Sequence, residues 1–75
     1  MTSLADLKPG DNCIIRKMNV AGAALQRLIA LGFLPGQKIT VLRNAPLLDP
    51  FDIQIRQTMV AVRKAEARLI EVELL

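Results

Sequence analysis

Leu34-Pro35-Gly36-Gln37-Lys38-Ile39-Thr40-Val41-Leu42 is the stretch whose reading decides the fold. Proline holds φ near the value that the second position of a type II turn requires. Glycine supplies the positive φ of the third position. The pair therefore reverses the chain and launches a strand, Lys38 to Asn44, with Ile39 and Val41 inward. The same device stands earlier in Leu7-Lys8-Pro9-Gly10-Asp11, ahead of the isoleucine-rich run Asn12 to Met18.

Between the two turns lies a helical stretch, from Val20 or Gly22 to Leu31. Leu25, Leu28 and Ile29 recur at helical spacing, and Ala24 and Leu31 widen the stripe. Asn19 is placed to cap its start, and Gly32 to occupy the left-handed position after its end. Phe33 and Leu34 are expected to fold back on the last turn. In Asn12 to Met18, Cys13 and Ile15 point one way and Ile14 and Met18 the other, the pattern of a strand buried on both sides. Phe51, Ile53 and Ile55 alternate with Asp52, Gln54 and Arg56, the clearest strand of the chain. A tight connection at Gln57-Thr58 leads to a return strand, Met59 to Val62. Arg63 to Ala67 reads as one helical turn and Leu69 to Leu74 as the last strand.

This order predicts a mainly β fold: a five-stranded SH3-like barrel, one helix after the first strand and a helical turn before the last. Closure of such a barrel protects its edges. The OB-fold is the competitor, but it carries its helix between the third and fourth strands. Residues 1–75 are expected to make one domain, with a core of only about 3–5 kcal/mol at this size. Its composition, 52% hydrophobic, works against that limit.

Net charge is +3, from ten basic residues scattered along the chain without a run. The single cysteine, Cys13, excludes an internal disulfide and suits a reducing compartment. Met1 to Asp6 has neither the basic start nor the apolar stretch of a signal peptide. No run reaches the roughly 20 apolar residues of a membrane-spanning helix. The expectation is a cytoplasmic chain with no direct membrane insertion.

Catalysis has little to build on. Histidine, the commonest general base and metal ligand, is absent. Cys13 has no imidazole to activate it and reads as a core residue. Ser3 falls in an expected flexible N-terminus. Asp49 and Asp52 read as turn caps and solvated face, and Glu71 and Glu73 as the solvent side of a strand. Each Pro-Gly turn holds one glycine before a strand, the wrong context for a phosphate loop. No catalytic residue, metal ligand or cofactor is assigned.

Nucleic-acid binding by small barrels uses stacked aromatics and a basic groove. The only aromatics are Phe33 and Phe51, both in apolar patterns that suit a core, so no nucleic acid is expected. The same shortage argues against a groove for proline-rich peptides. A protein-binding module remains. Pro46, Leu47 and Leu48 form an apolar loop segment, and Gln26 and Arg27 supply a polar rim on the helix. These five are the candidate partner-binding residues.

The ordered set Leu7-Lys8-Pro9-Gly10-Asp11, Leu31-Gly32-Phe33-Leu34-Pro35-Gly36, Ile39-Thr40-Val41-Leu42-Arg43, Ala45-Pro46-Leu47-Leu48-Asp49-Pro50 and Val60 to Ala67 resembles the FeoA family. The resemblance implies an SH3-like barrel with a helical insert. It implies a small cytoplasmic accessory protein of bacterial ferrous-iron uptake, acting on the transporter FeoB, whose GTPase domain is cytoplasmic. That association would place it peripherally at the inner membrane. A similar domain ends iron-dependent repressors of the DtxR type. Two departures stand out. Leu48 replaces a common glycine in the Ala-Pro-Leu loop, making it more apolar. Gln57 replaces a glycine after Ile55-Arg56, which would lengthen the hairpin. The other readings are an interaction domain related to those repressors and an RNA-binding small barrel. A homo-oligomer is a further possible association.

Overall fold

The computed structural model describes residues 2–43 and 49–75. Strands β1 (Thr2–Ser3), β2 (Asn12–Met18), β3 (Lys38–Arg43), β4 (Phe51–Ile55), β5 (Thr58–Val62) and β6 (Ile70–Leu74) form one sheet in the order β1-β6-β2-β3-β4-β5. Every pairing is antiparallel. Helix α1 (Gly22–Ala30) follows β2, and α2 (Lys64–Ala67) precedes β6. A 3-10 turn, Leu4–Asp6, follows β1. The mainly β chain, the helix after the first long strand and the helical turn before the last are as the sequence predicts.

Both Pro-Gly turns form. Gly10 and Gly36 each take φ +92, and each turn closes on a backbone hydrogen bond of 3.0 Å, Asp11 N–H to Lys8 O and Gln37 N–H to Leu34 O. The second turn also docks on β2: Gly36 N–H donates to Ile15 O at 2.7 Å, and Ile15 N–H to Gln37 O at 3.0 Å. Helix α1 ends in paired reverse bonds, Phe33 N–H to Leu28 O and Gly32 N–H to Ile29 O. This closure satisfies the last carbonyls and swings Phe33 into the core, where it is fully buried.

One face of the sheet carries Cys13, Ile15, Ile39, Val41, Ile53 and Val72, all buried. Leu4, Leu28, Phe33 and Ala67 join them in one cluster. Burying an aliphatic side chain of this size contributes about 1.5–3 kcal/mol.

Six sequence expectations need correction. The sheet has six strands, and among the described residues it is not closed, since β1 and β5 are its edges. Ser3 is not flexible: it pairs with Glu71 in β6. Asn19 does not cap α1; the N-cap is Ala21, with no side-chain bond, and Asn19 Nδ2 donates to Glu71 Oε2 at 2.9 Å. The hairpin between β4 and β5 keeps a two-residue loop, but at Arg56-Gln57, because Ile55 pairs with Thr58. Arg56 takes the positive φ, +56, so Gln57 does not lengthen the turn. Finally, only one face of β2 is buried, and Leu34 is exposed rather than folded back.

Candidate partner-binding surface

Helix α1 fully buries only Leu28. Ala24 and Leu25 pack at the edge of the core. Gln26 and Arg27 face outward, as their place off the apolar stripe requires. Arg27 is held from across the molecule. Its Nη2 donates to Glu66 Oε1 at 2.7 Å. The same oxygen accepts from Arg63 N–H at 3.2 Å, tying off the start of α2. Surface ion pairs contribute at most about 1 kcal/mol, so this bond orients Arg27 without locking it away from a partner.

Asp49 secures the same corner. Its Oδ1 accepts from Lys64 N–H at 2.9 Å, the turn-cap role the sequence suggested. Arg27, Asp49, Pro50, Ala61, Arg63 and Glu66 line one shallow pocket. Pro46, Leu47 and Leu48 lie outside the described residues, so the apolar loop segment is not placed; Asp49, which follows it in the chain, is. Arg63, Glu66 and Asp49 were missed as neighbours of Arg27. Their only sequence signal was the three-residue spacing of Arg63 and Glu66, which suits a helix start.

The groups weighed for chemistry fall apart in space. Cys13 is buried, and burial, with the Asp11 carboxylate adding to it, pushes its thiol up from 9.0 to about 11. At neutral pH it is a protonated core side chain, not a nucleophile. Glu73 pairs with Arg16 at 2.8 Å, and Asp52 lies 3.8 Å from Arg43. Among the described residues no three of Cys, Asp and Glu converge as a metal would require. Both aromatics, Phe33 and Phe51, are buried and offer no stacking platform. No helix among the described residues is long and apolar enough to cross a membrane.

The FeoA domain profile matches residues 2–74. The chain belongs to the FeoA domain family. It is 38% identical over 72 residues to an Fe(2+) transport protein A/Fe(2+) transporter FeoB fusion protein of Porphyromonas gingivalis. That match covers 96% of this chain but only 8% of the fusion protein's length. The solution structure of FeoA from Chlorobium tepidum superposes with a TM-score of 0.91 at 35% identity, over 99% of this chain and 70% of that one. FeoA of Stenotrophomonas maltophilia, described as a prokaryotic SH3 domain protein, superposes with a TM-score of 0.84 at 23% identity, over 97% and 91% of the two chains. At that identity the likeness speaks for the fold alone. This FeoA domain therefore has the SH3-like architecture its turn pattern predicted, with the sheet open among the described residues.

Proposed function

We propose that this FeoA domain is a non-enzymatic accessory of ferrous-iron transport that binds FeoB on its cytoplasmic side and biases its conformational or nucleotide state. The observation that carries this reading is the Porphyromonas gingivalis relative, in which an FeoA segment and the FeoB transporter share one chain. Fusion raises the effective concentration of each segment for the other, which favours two modules that act together. A binder shifts such an equilibrium only through its differential affinity for the two states, so a small domain without catalytic groups suffices.

The proposed contact residues are Gln26 and Arg27 on the outer corner of α1, together with Pro46, Leu47 and Leu48 of the following loop sequence. Calorimetric titration of the domain into the FeoB GTPase domain, with and without nucleotide, and into full-length FeoB in detergent tests the reading. Saturable binding is expected, and nucleotide dependence would place the effect on the GTPase state. A folded domain that binds neither form ends the proposal. Leu48→Asp is expected to weaken binding while leaving the fold intact; unchanged affinity would remove the 46–48 segment from the contact.

A further inference from the structure

We propose that Lys38 and Arg56 form an anion-recognition pair on the sheet that docks an acidic protein segment, with Leu34 beside it taking an apolar side chain of the same segment. The pair is set by strand register. Thr40 pairs with Gln54 and Val41 with Ile53. Continuing that register places Lys38 opposite Arg56, at the start of the β4–β5 loop. Both side chains line one shallow depression together with Gln37, Thr40 and Gln54.

Two like charges brought to one depression repel each other unless something answers them. Among the described residues no side chain does. No carboxylate lines the depression. Neither cation makes an ion pair among the described residues. All seven side-chain carboxylates have partners elsewhere: Asp6 with Ser3, Asp11 with Lys8 N–H, Asp49 with Lys64 N–H, Asp52 with Arg43, Glu66 with Arg27, Glu71 with Asn19 and Glu73 with Arg16. The pair's charge is thus left open to an anionic group from outside.

The floor of the depression is fixed. Gln37 Nε2 donates to Lys38 O at 3.0 Å, and Gln54 Nε2 to Arg56 O at 3.1 Å. Arg56 also occupies a backbone position that disfavours it. Its φ of +56 is a conformation that glycine adopts freely and an arginine does not. A charged side chain held at that site against backbone preference fits recognition better than folding.

The adjoining surface selects the class of ligand. Gln37 and Arg56 are shared with a second depression walled by Leu31 and Leu34, both exposed. Cations beside an apolar step suit carboxylates flanking an aliphatic side chain. A nucleic acid would want exposed aromatics, and the chain's two are buried. The proposal goes beyond the FeoB reading and stands whichever protein carries the segment.

The test is fluorescence anisotropy with a fluorescein-labelled peptide of glutamates flanking one leucine. The wild-type domain, Lys38→Gln/Arg56→Gly and the equal-charge control Lys8→Gln/Arg68→Gln are compared, with folding checked by thermal melts. Arg56→Gly relieves the backbone, so loss of fold does not confound it. Saturable binding is expected, weakened about tenfold or more in the first variant and less than about twofold in the control. Four results each overturn the proposal: no saturable binding by the wild type, an equal loss in both variants, no loss in the first, or competition by oligouridylate as strong as by unlabelled peptide.

Discussion

Lys8-Pro9-Gly10-Asp11 and Leu34-Pro35-Gly36-Gln37 are nearly one turn written twice. Their glycines share φ +92, and their closing bonds share a length of 3.0 Å. Their surroundings diverge. The first turn answers its own backbone, since Asp11 Oδ2 accepts from Lys8 N–H at 2.8 Å. The second has no carboxylate. Both turns are stitched to a strand, the first to β3 through Val41 and the second to β2 through Ile15, but the second leads from exposed Leu34 into Lys38. Backbone requirements thus fix the turn, while the residues around it decide whether its surface is self-satisfied or open to a partner. The residue that anchors each turn differs too: fully buried Phe33 leads into the second and nearly buried Leu7 into the first.

That difference in anchoring predicts the largest effects. Phe33→Ala should cost about 3–5 kcal/mol and Leu7→Ala less, at the lower end of about 2–5 kcal/mol. Urea denaturation of the two variants checks the order, and the reverse order would make the first turn the better anchored. For a core of this size the Phe33 variant is expected to be largely unfolded without denaturant.

Alkaline pH separates the two turns next, because only the first brings a carboxylate to Cys13. The folded thiol sits at about 11 against 9.0 for the ordinary group. Between these values the unfolded chain releases a proton that the folded chain keeps, so stability falls as pH rises. It is complete below about pH 9, and about 2 kcal/mol is lost by pH 11. Cys13→Ala should remove this part of the decline in denaturation curves recorded across that window. A decline of the same slope in the variant would assign it to other groups.

The likeness of the turns has its own test. An alanine Cβ at Gly10 or Gly36 meets no atom within 4 Å, so only the left-handed backbone opposes it. Gly10→Ala and Gly36→Ala should each cost about 1–2 kcal/mol, and equally. Melting temperatures that differ clearly between the two would show that the docking of Gly10 on Val41 and that of Gly36 on Ile15 constrain their turns unequally.

What was legible in the sequence follows the range of the forces involved. Pro-Gly turns, the end of α1 at Gly32 and the alternation of Phe51, Ile53 and Ile55 are local, and they were readable. Strand β1 was not, because two residues carry no periodicity and Thr2 is defined only by its pairing with Val72. Asn19 looked like a cap because its own neighbours are helical, but a carboxylate 52 residues away takes its amide. The hairpin loop slipped by one residue, since neither Arg56 nor Gln57 is the glycine that marks such turns. At the candidate surface, the outward face of Gln26 and Arg27 followed from helical spacing. The bond from Arg27 to Glu66, 39 residues on, had no local signal. Lys38 and Arg56 were equally silent until register put them side by side.

The smallest expected effect isolates charge at the first turn. Asp11→Asn keeps an oxygen that can accept from Lys8 N–H, so the fold should lose no more than about 1 kcal/mol. It removes the negative charge that adds to the burial of Cys13. The thiol should therefore titrate below 11 yet remain above 9.0, since burial is the larger cause. The alkaline loss of stability should shrink in step, because the pH window between unfolded and folded titration narrows. Thiolate absorbance during a pH titration reads this directly in the wild type and the variant. An unchanged titration would mean that burial alone holds the proton, and that the carboxylate of the first turn acts only on its own backbone. Gln37→Glu asks the converse at the second turn. A carboxylate placed in the depression that Lys38 and Arg56 line should answer their charge and weaken acidic-peptide binding while leaving Cys13 alone.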